Sequence, residues 1–212
     1  MHLYSIESEE RKKVSLYIAL AGVVVSLAFH KYLPPLLTKL FPNMGLEVPW
    51  LVSVPSALVI YGILYWLFDE HLWKFAHSLR ITQVPNLNGK WDACIKSSRD
   101  NFKERFCIQM TIHQTWSRIS LIVENEELIS YSLMASFKSF NPERRMLRYE
   151  YFAEPKPLKR ANVLAHNGTC HITINLSKGE IVEPLTAEYY NNHGNASYGE
   201  MLLTRKRNET GA

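Results

Sequence analysis

The chain has 212 residues, of which 47% are hydrophobic and 21% charged, and a formal net charge of +4. These averages exclude a disordered chain and a stapled mini-protein, and nine Gly with ten Pro and no repeat exclude collagen-like or low-complexity architecture. A mean hydropathy of −0.14 suggests a soluble domain, but the average conceals where the apolar residues sit.

Two apolar runs open the chain. Val14–Phe29 is sixteen residues without a formal charge, staying largely apolar to Leu33 if Lys31 snorkels; Val48–Phe68 is twenty-one. About 20 helical residues cross about 30 Å of hydrocarbon, so transmembrane helices are expected over 14–33 and 48–68. Tyr32, Trp50, Tyr65, Trp66 and Trp73 gather at their ends as an interfacial belt. A soluble core hairpin would leave neither helix a polar face for water, and no cleavage site of small residues follows the first run. Arg11, Lys12 and Lys13 precede the first span and Lys74 and Arg80 follow the second, whereas the loop at about 32–47 holds only Lys39, with Lys31 at its edge. Basic flanks stay inside, which predicts a multi-pass membrane protein with both termini cytoplasmic and a short loop outside. Gly22/Ser26 and Ser53/Ala57 would permit close helix approach, and Pro55 would kink the second span.

Charge divides the chain as hydropathy does. Residues 1–69 hold five basic and five acidic side chains, so the whole +4 falls on 70–212. That excess suits an anionic ligand or lipid surface and is too small for duplex DNA or RNA. Cys94, Cys107 and Cys170 are odd in number and widely spaced, with no zinc pair or disulfide frame expected, and a reducing compartment fits. The glycosylation-type triplets at Asn167, Asn175, Asn195 and Asn208 then read as chance.

Residues 69–87 form a linker that continues the second helix and ends near Pro85. From Gly89 the period changes to two. Trp91, Ala93 and Ile95 alternate with polar neighbours, as do Phe106, Ile108, Met110 and Ile112, then Ile119, Leu121 and Val123. The pattern repeats at Ile129, Tyr131, Leu133, Ala135 and Phe137; at Leu147, Tyr149 and Tyr151; and at Cys170, Ile172, Ile174 and Leu176. Runs at about 185–190 and 198–206 flank the turn-rich 191–195. Such alternation marks half-buried antiparallel strands. The expected fold is therefore two N-terminal transmembrane helices followed by an all-β, eight-stranded up-and-down antiparallel, lipocalin-like barrel. The domains are 1–85, membrane hairpin and linker, and 86–212, cytoplasmic ligand-binding barrel. Gly89-Lys90-Trp91 opens the first strand and Arg205 lies on the last. Closure makes these strands neighbours, so Arg205 is expected to stack on Trp91 and close one end.

Catalytic patterns are scarce. The strand region's histidines are scattered, without metal-ligand spacing, and there is no Gly-x-Ser-x-Gly, phosphate loop or deaminase signature. The chain is read as a non-enzyme needing no metal or cofactor. Strand direction collects Tyr151, Lys156, Lys159, Arg160, His166, His171, Tyr189 and Asn191 at the open end, with Arg99, Lys103 and Arg105 from the first hairpin. Aromatic faces stack bases and cations hold phosphates. The ligand-binding candidates are Tyr131, Tyr149, Tyr151, Lys156, Arg160, His171, Tyr189 and Arg105, with Trp91 and Arg205 as barrel-closing residues.

The paired spans, the Asn88-Gly89-Lys90-Trp91 opening and the closing segments 185–190 and 198–203 together resemble the CD-NTase-associated, two-transmembrane, β-strand-rich effectors of bacterial CBASS antiphage defence. The resemblance covers the whole chain. It implies that the barrel binds a cyclic dinucleotide made by a partner CD-NTase, a nucleotidyltransferase. Binding would drive homo-oligomerisation of the helices in the lipid bilayer, inner-membrane disruption and abortive cell death. The alternative is a membrane-tethered lipocalin-like barrel for a lipid or other apolar ligand, or a scaffold without ligand. An apolar cavity would mark the former and a barrel filled with side chains the latter.

Overall fold

The computed structural model describes residues 1–7, 9–40, 57–78, 82, 84–160, 163–192 and 196–206. The chain divides into a helical unit, Glu9–Leu72, and a second unit of Met1–Ser8 with Trp73–Ala212.

In the helical unit, α1 runs Glu10–Leu40 and α2 runs Ala57–Leu67, followed by a π-helical turn at Phe68–Leu72. The stretch Glu10–Leu33 of α1 is long and apolar enough to cross a membrane. Its Leu16, Tyr17, Leu20, Val23, Val24 and Leu27 are exposed, the reverse of a soluble core helix, which buries such residues. Helix continues past Leu33 to Leu40, so residues 32–40, expected as the start of a loop, are helical. Pro34 and Pro35 each remove one backbone donor without ending the helix. The first part of the second expected span, with Ser53 and Pro55, lies outside the described residues. Gly22 meets α2 closely: a Cβ there would stand 3.4 Å from Tyr61 Cα and 3.5 Å from the Ala57 carbonyl oxygen. Ser26, one turn on, is buried, so small residues serve packing within the hairpin.

The second unit is a closed barrel preceded by a short helix, α3 (Trp73–Ser78). Its strands are β1 (His2–Ile6), β2 (Gly89–Ser97), β3 (Phe106–Gln114), β4 (Arg118–Glu124), β5 (Leu128–Asn141), β6 (Arg144–Pro155), β7 (His166–Ser177), β8 (Glu180–Asn191) and β9 (Tyr198–Arg205). They close in the order β1-β4-β3-β2-β9-β8-β7-β6-β5. Eight of them, β2 to β9, follow the meander expected from the alternation, but the barrel has nine strands and one parallel pair.

The ninth strand has a local cause. β4 and β5 pair only at Ile122–Glu124 with Ile129–Tyr131, and a bulge between Ser132 and Met134 then bends β5 away. β1 fills the wedge, antiparallel to β4 (His2↔Ile119) and parallel to β5 (Tyr4↔Ala135 through Ile6↔Phe137). Tyr4 is 2% exposed, its hydroxyl donates to the Trp116 carbonyl at 2.7 Å, and its ring meets Phe137 edge-on at 5.4 Å. His2–Ile6 therefore belongs to the barrel, not to the membrane part in which a 1–85/86–212 division places it. Five residues before a long apolar run are too few for alternation to register as a strand.

Inward side chains of Trp91, Met110, Ile112, Ile119, Leu121, Leu147, Ile172 and Leu203 are almost fully buried and fill one half of the barrel. That end is closed by Arg205, which faces Trp91 in register with its guanidinium carbon 4.6 Å from the ring centroid. Arg205 also donates to the Asn86 and Asn88 carbonyls at 2.8 and 3.1 Å, while Trp91 Nε1 donates to the Leu87 carbonyl at 2.9 Å. Closure sets this pair: β2 and β9 meet only because the barrel shuts.

Cys94 and Cys107 correct the cysteine reading. They are direct partners across β2 and β3, with Cα atoms 4.0 Å apart, and form a disulfide. Hairpin register brings them together, and no spacing motif would reveal it. Cys170 is free and buried.

Candidate functional site

At the end opposite Trp91 the barrel holds a cavity of about 270 Å³. Strand alternation explains its lining. Moving along β2 away from Trp91, the inward positions are Ala93, Ile95 and Ser97; bulky rings give way to smaller groups, and space remains. Ile95, Ile108, Val123 and Met201 supply an apolar floor, Tyr149, Tyr151 and Tyr189 a hydroxyl-bearing wall, and Arg99, Asp100 and Asn125 come from the connecting loops.

The tyrosines are held by cross-strand chemistry. Tyr189 donates to Ser97 Oγ at 2.8 Å. Tyr151 donates to Asn191 Oδ1, and Asn191 Nδ2 donates onward to Ser197 Oγ at 2.9 Å. Each ring lies over a glycine on the neighbouring strand, Tyr151 opposite Gly168 and Tyr189 opposite Gly199. A Cβ at 168 would come within 2.5 Å of the Tyr151 hydroxyl and overlap its ring; one at 199 would come within 2.6 Å of Tyr189 Cε1. Side-chain-free positions are thus what let the rings lie flat against the wall.

Burial, reinforced by the Cys170 thiol, pushes the Tyr149 phenol well above its ordinary value, and burial raises Tyr151 likewise. Burial also raises the Cys170 thiol to about 12. Tyr149 and Tyr151 therefore offer neutral hydroxyls at physiological pH, all three tyrosines offer aromatic faces, and formal charge enters near the loops, at Arg99 and Asp100. His166 is buried in the lining, with Nδ1 3.2 Å from the Leu164 carbonyl. Among the described residues no cluster of His, Cys, Asp or Glu could hold a metal ion.

Of the eight candidate ligand residues, Tyr149, Tyr151 and Tyr189 line the cavity and five do not. Tyr131 precedes the β5 bulge, where Leu128, Ser130 and Ser132 face inward, so it points outward against Phe152 at 5.9 Å. Alternation counted backward from Phe137 gives Tyr131 the wrong face, because the bulge inserts one residue. His171 follows the inward Cys170 and lies on the outer face beside Tyr190, paired in register with Glu188 and Arg148. Lys156 pairs with Glu124 at 2.7 Å, Arg160 is exposed after the 3₁₀ turn Pro157–Lys159, and Arg105 is exposed before β3. Arg99, His166 and Asn191, placed at the open end by strand direction but left out of the candidate set, do line it. Ser97 is the next inward position after Ile95 in the alternation; for Ser130 the count backward from Phe137 gives the outer face, because it misses the bulge. Ser197 lies on a connection where periodicity says nothing.

Two family models match this chain. One, described as Cap15, cyclic dinucleotide receptor domain, matches residues 82–205, which include every cavity-lining residue; the other, Cap15, TM helices, matches residues 12–74. The chain is also 28% identical over 204 residues to CD-NTase-associated protein 15 of Yersinia aleksiciae, covering 92% of each sequence.

Proposed function

The chain belongs to the Cap15 family, and on that premise we propose that it is a CBASS membrane effector: the barrel receives a cyclic dinucleotide from an associated CD-NTase, and binding gathers the transmembrane helices into an oligomer that disrupts the inner membrane and kills the infected cell. The family is one of receptors rather than enzymes.

The observation that carries this reading is the cavity's lining within the matched receptor domain. Three tyrosine faces suit base stacking, and Ser97, Ser130, Asn191 and Ser197 suit polar base edges. A volume of about 270 Å³ is at the small end of ligand cavities, so bases enter while the phosphates stay at the rim, near Arg99. An apolar ligand would shield these groups from water without offering any of them a hydrogen bond, whereas base edges can use the donors and acceptors that the wall's internal bonds leave over.

The strand order supports a two-pass topology with both termini cytoplasmic. Because β1 precedes α1 and shares one sheet with β2–β9, a chain that enters the membrane after β1 must return to the same side, by an even number of crossings. The basic Arg11, Lys12 and Lys13 ahead of α1 support a cytoplasmic assignment of that side. To switch assembly from 1:99 to 99:1 the ligand must favour the assembled form by about 5.5 kcal/mol.

The test is thermal unfolding of the full chain in detergent with a panel of cyclic di- and trinucleotides. The full chain is needed because a fragment starting at residue 86 lacks β1. A ligand at 100 times its dissociation constant adds about 2.7 kcal/mol of stability, and no shift with any member of the panel rejects the reading. Val24→Lys, at an exposed position of α1, should abolish membrane damage and leave the ligand-induced shift unchanged.

A further inference from the structure

β1 is the weakest-held strand of the barrel and sits where the barrel most needs one. It pairs with β4 only through His2 and Leu3 and with β5 only through Tyr4, Ser5 and Ile6, while β6 and β7 pair continuously from Arg144↔Asn175 to Ala153↔His166. Beyond the pairs, its anchors include the buried Tyr4, whose hydroxyl donates to the Trp116 carbonyl at 2.7 Å and whose amide donates to the Ser117 carbonyl at 3.3 Å, a 2.7 Å His2–Ser132 hydrogen bond, the Glu7 amide on the Phe137 carbonyl at 3.1 Å and an exposed Glu7–Lys138 ion pair at 3.6 Å. Pairing this short opens at low cost. Withdrawing β1 would unpair the facing backbones of Arg118–Ile119 and Ala135–Phe137, an open edge between two strands that recruits any matching strand.

We propose that the slot between β4 and β5 is a strand-acceptor site for a second copy of this chain, and that β1 is exchanged between neighbouring barrels when copies assemble. This rests on the assembly reading above. Exchanged and unexchanged strands make identical contacts with the slot, so the swap sacrifices no bonding. The membrane concentrates copies, and three residues of sequence separate Ile6 from the start of α1 at Glu10. Ligand-driven gathering of helices would bring the donor strand of one copy to the acceptor slot of the next and lock them together through the sheet.

Register supplies the test. Ser5 and Ser136 are direct partners, Ser5 exposed and Ser136 partly so, on the outer face opposite the buried Tyr4 and Ala135. A chain carrying both Ser5→Cys and Ser136→Cys should give an intrachain link with a short bismaleimide in dilute detergent, which establishes reactivity. Thioether chemistry leaves the Cys94–Cys107 disulfide intact, and Cys170 is buried. Two differently tagged full-length copies, one with Ser5→Cys and one with Ser136→Cys, are then co-reconstituted in phosphatidylethanolamine–phosphatidylglycerol vesicles. They are treated with a mixture of cyclic di-AMP, cyclic di-GMP and cyclic UMP–AMP. The expected result is a crosslinked species carrying both tags that rises on nucleotide addition, matched by loss of the intrachain product from the doubly substituted chain. Assembly seen on native gels with only intrachain linkage overturns the exchange and leaves the assembly reading standing. No assembly with any nucleotide overturns both.

Discussion

Gly199→Ala tests how tightly the tyrosine wall is built into the barrel. Gly199 lies on β9, in register with Tyr189 on one side and Ser97 on the other. A methyl group there would overlap the Lys96 carbonyl oxygen and stand 2.6 and 2.9 Å from Tyr189 Cε1 and Cζ. The ring can swing away, but the carbonyl belongs to the β2–β9 ladder that shuts the barrel and moves only if the ladder does. Overpacking of this kind costs about 1–3 kcal/mol. Displacing the ring also breaks the 2.8 Å Tyr189–Ser97 hydrogen bond, worth about 1 kcal/mol more. The sum, about 2–4 kcal/mol, corresponds to a fall in Tm of roughly 8–16 °C, taking about 4 °C per kcal/mol for a domain of this size. The assay is thermal unfolding followed by tryptophan fluorescence, with Trp91 and Trp116 both buried in the barrel as reporters. Gly168→Ala is the contrasting variant. Its methyl group meets only the Tyr151 ring and Asn191 Oδ1 among its nearest atoms, so Tyr151 rotates out without moving the backbone, at the cost of its hydrogen bond to Asn191, about 1 kcal/mol, while the cavity loses its shape. Gly62→Ala, with nothing within 4 Å of its Cβ, should leave Tm unchanged. A Gly199→Ala protein melting with the parent would refute the reasoning, because backbone overlap would then be relieved at no cost.

Arg205→Ala removes the stack on Trp91 and both carbonyl hydrogen bonds, and should lower stability by about 2–3 kcal/mol in chemical denaturation; Arg205→Lys should recover only part of it. Cys94→Ser with Cys107→Ser opens a crosslink between positions 13 residues apart, costing about 3 kcal/mol against the oxidised parent. The reduced parent should melt like the variant when both are measured with dithiothreitol. Burial, helped by the neighbouring Arg148 and opposed by Glu188, holds the His171 imidazole below its ordinary value of 6.5. The unfolded chain therefore takes up that proton first. Its contribution is complete above pH 6.5 and is lost as pH falls toward the folded value, so His171→Gln should flatten the fall in Tm below pH 6.5 and change nothing at pH 8.

Hydropathy along the chain suffices for the apolar helix and for the strand alternation, because each residue carries its own preference for lipid, core or water. The inward faces of β2, β3, β4 and β7 follow from that preference alone, as does the placing of Tyr149, Tyr151 and Tyr189 on the cavity side. What no local pattern contains is the count of residues across a bulge. One extra residue in β5 puts Tyr131 outside and Ser130 inside, although both keep the hydropathy they had. The same holds for Cys94 and Cys107, joined by hairpin register, and for the Asn191–Ser197 clamp behind Tyr151. It holds most of all for β1, whose five residues become a strand only where β4 and β5, more than a hundred positions later, diverge and leave backbone donors and acceptors to be satisfied. Which face a residue prefers is a property of its side chain. Which strand closes the barrel is decided by hydrogen bonds between distant segments, and only the assembled tertiary structure brings those together.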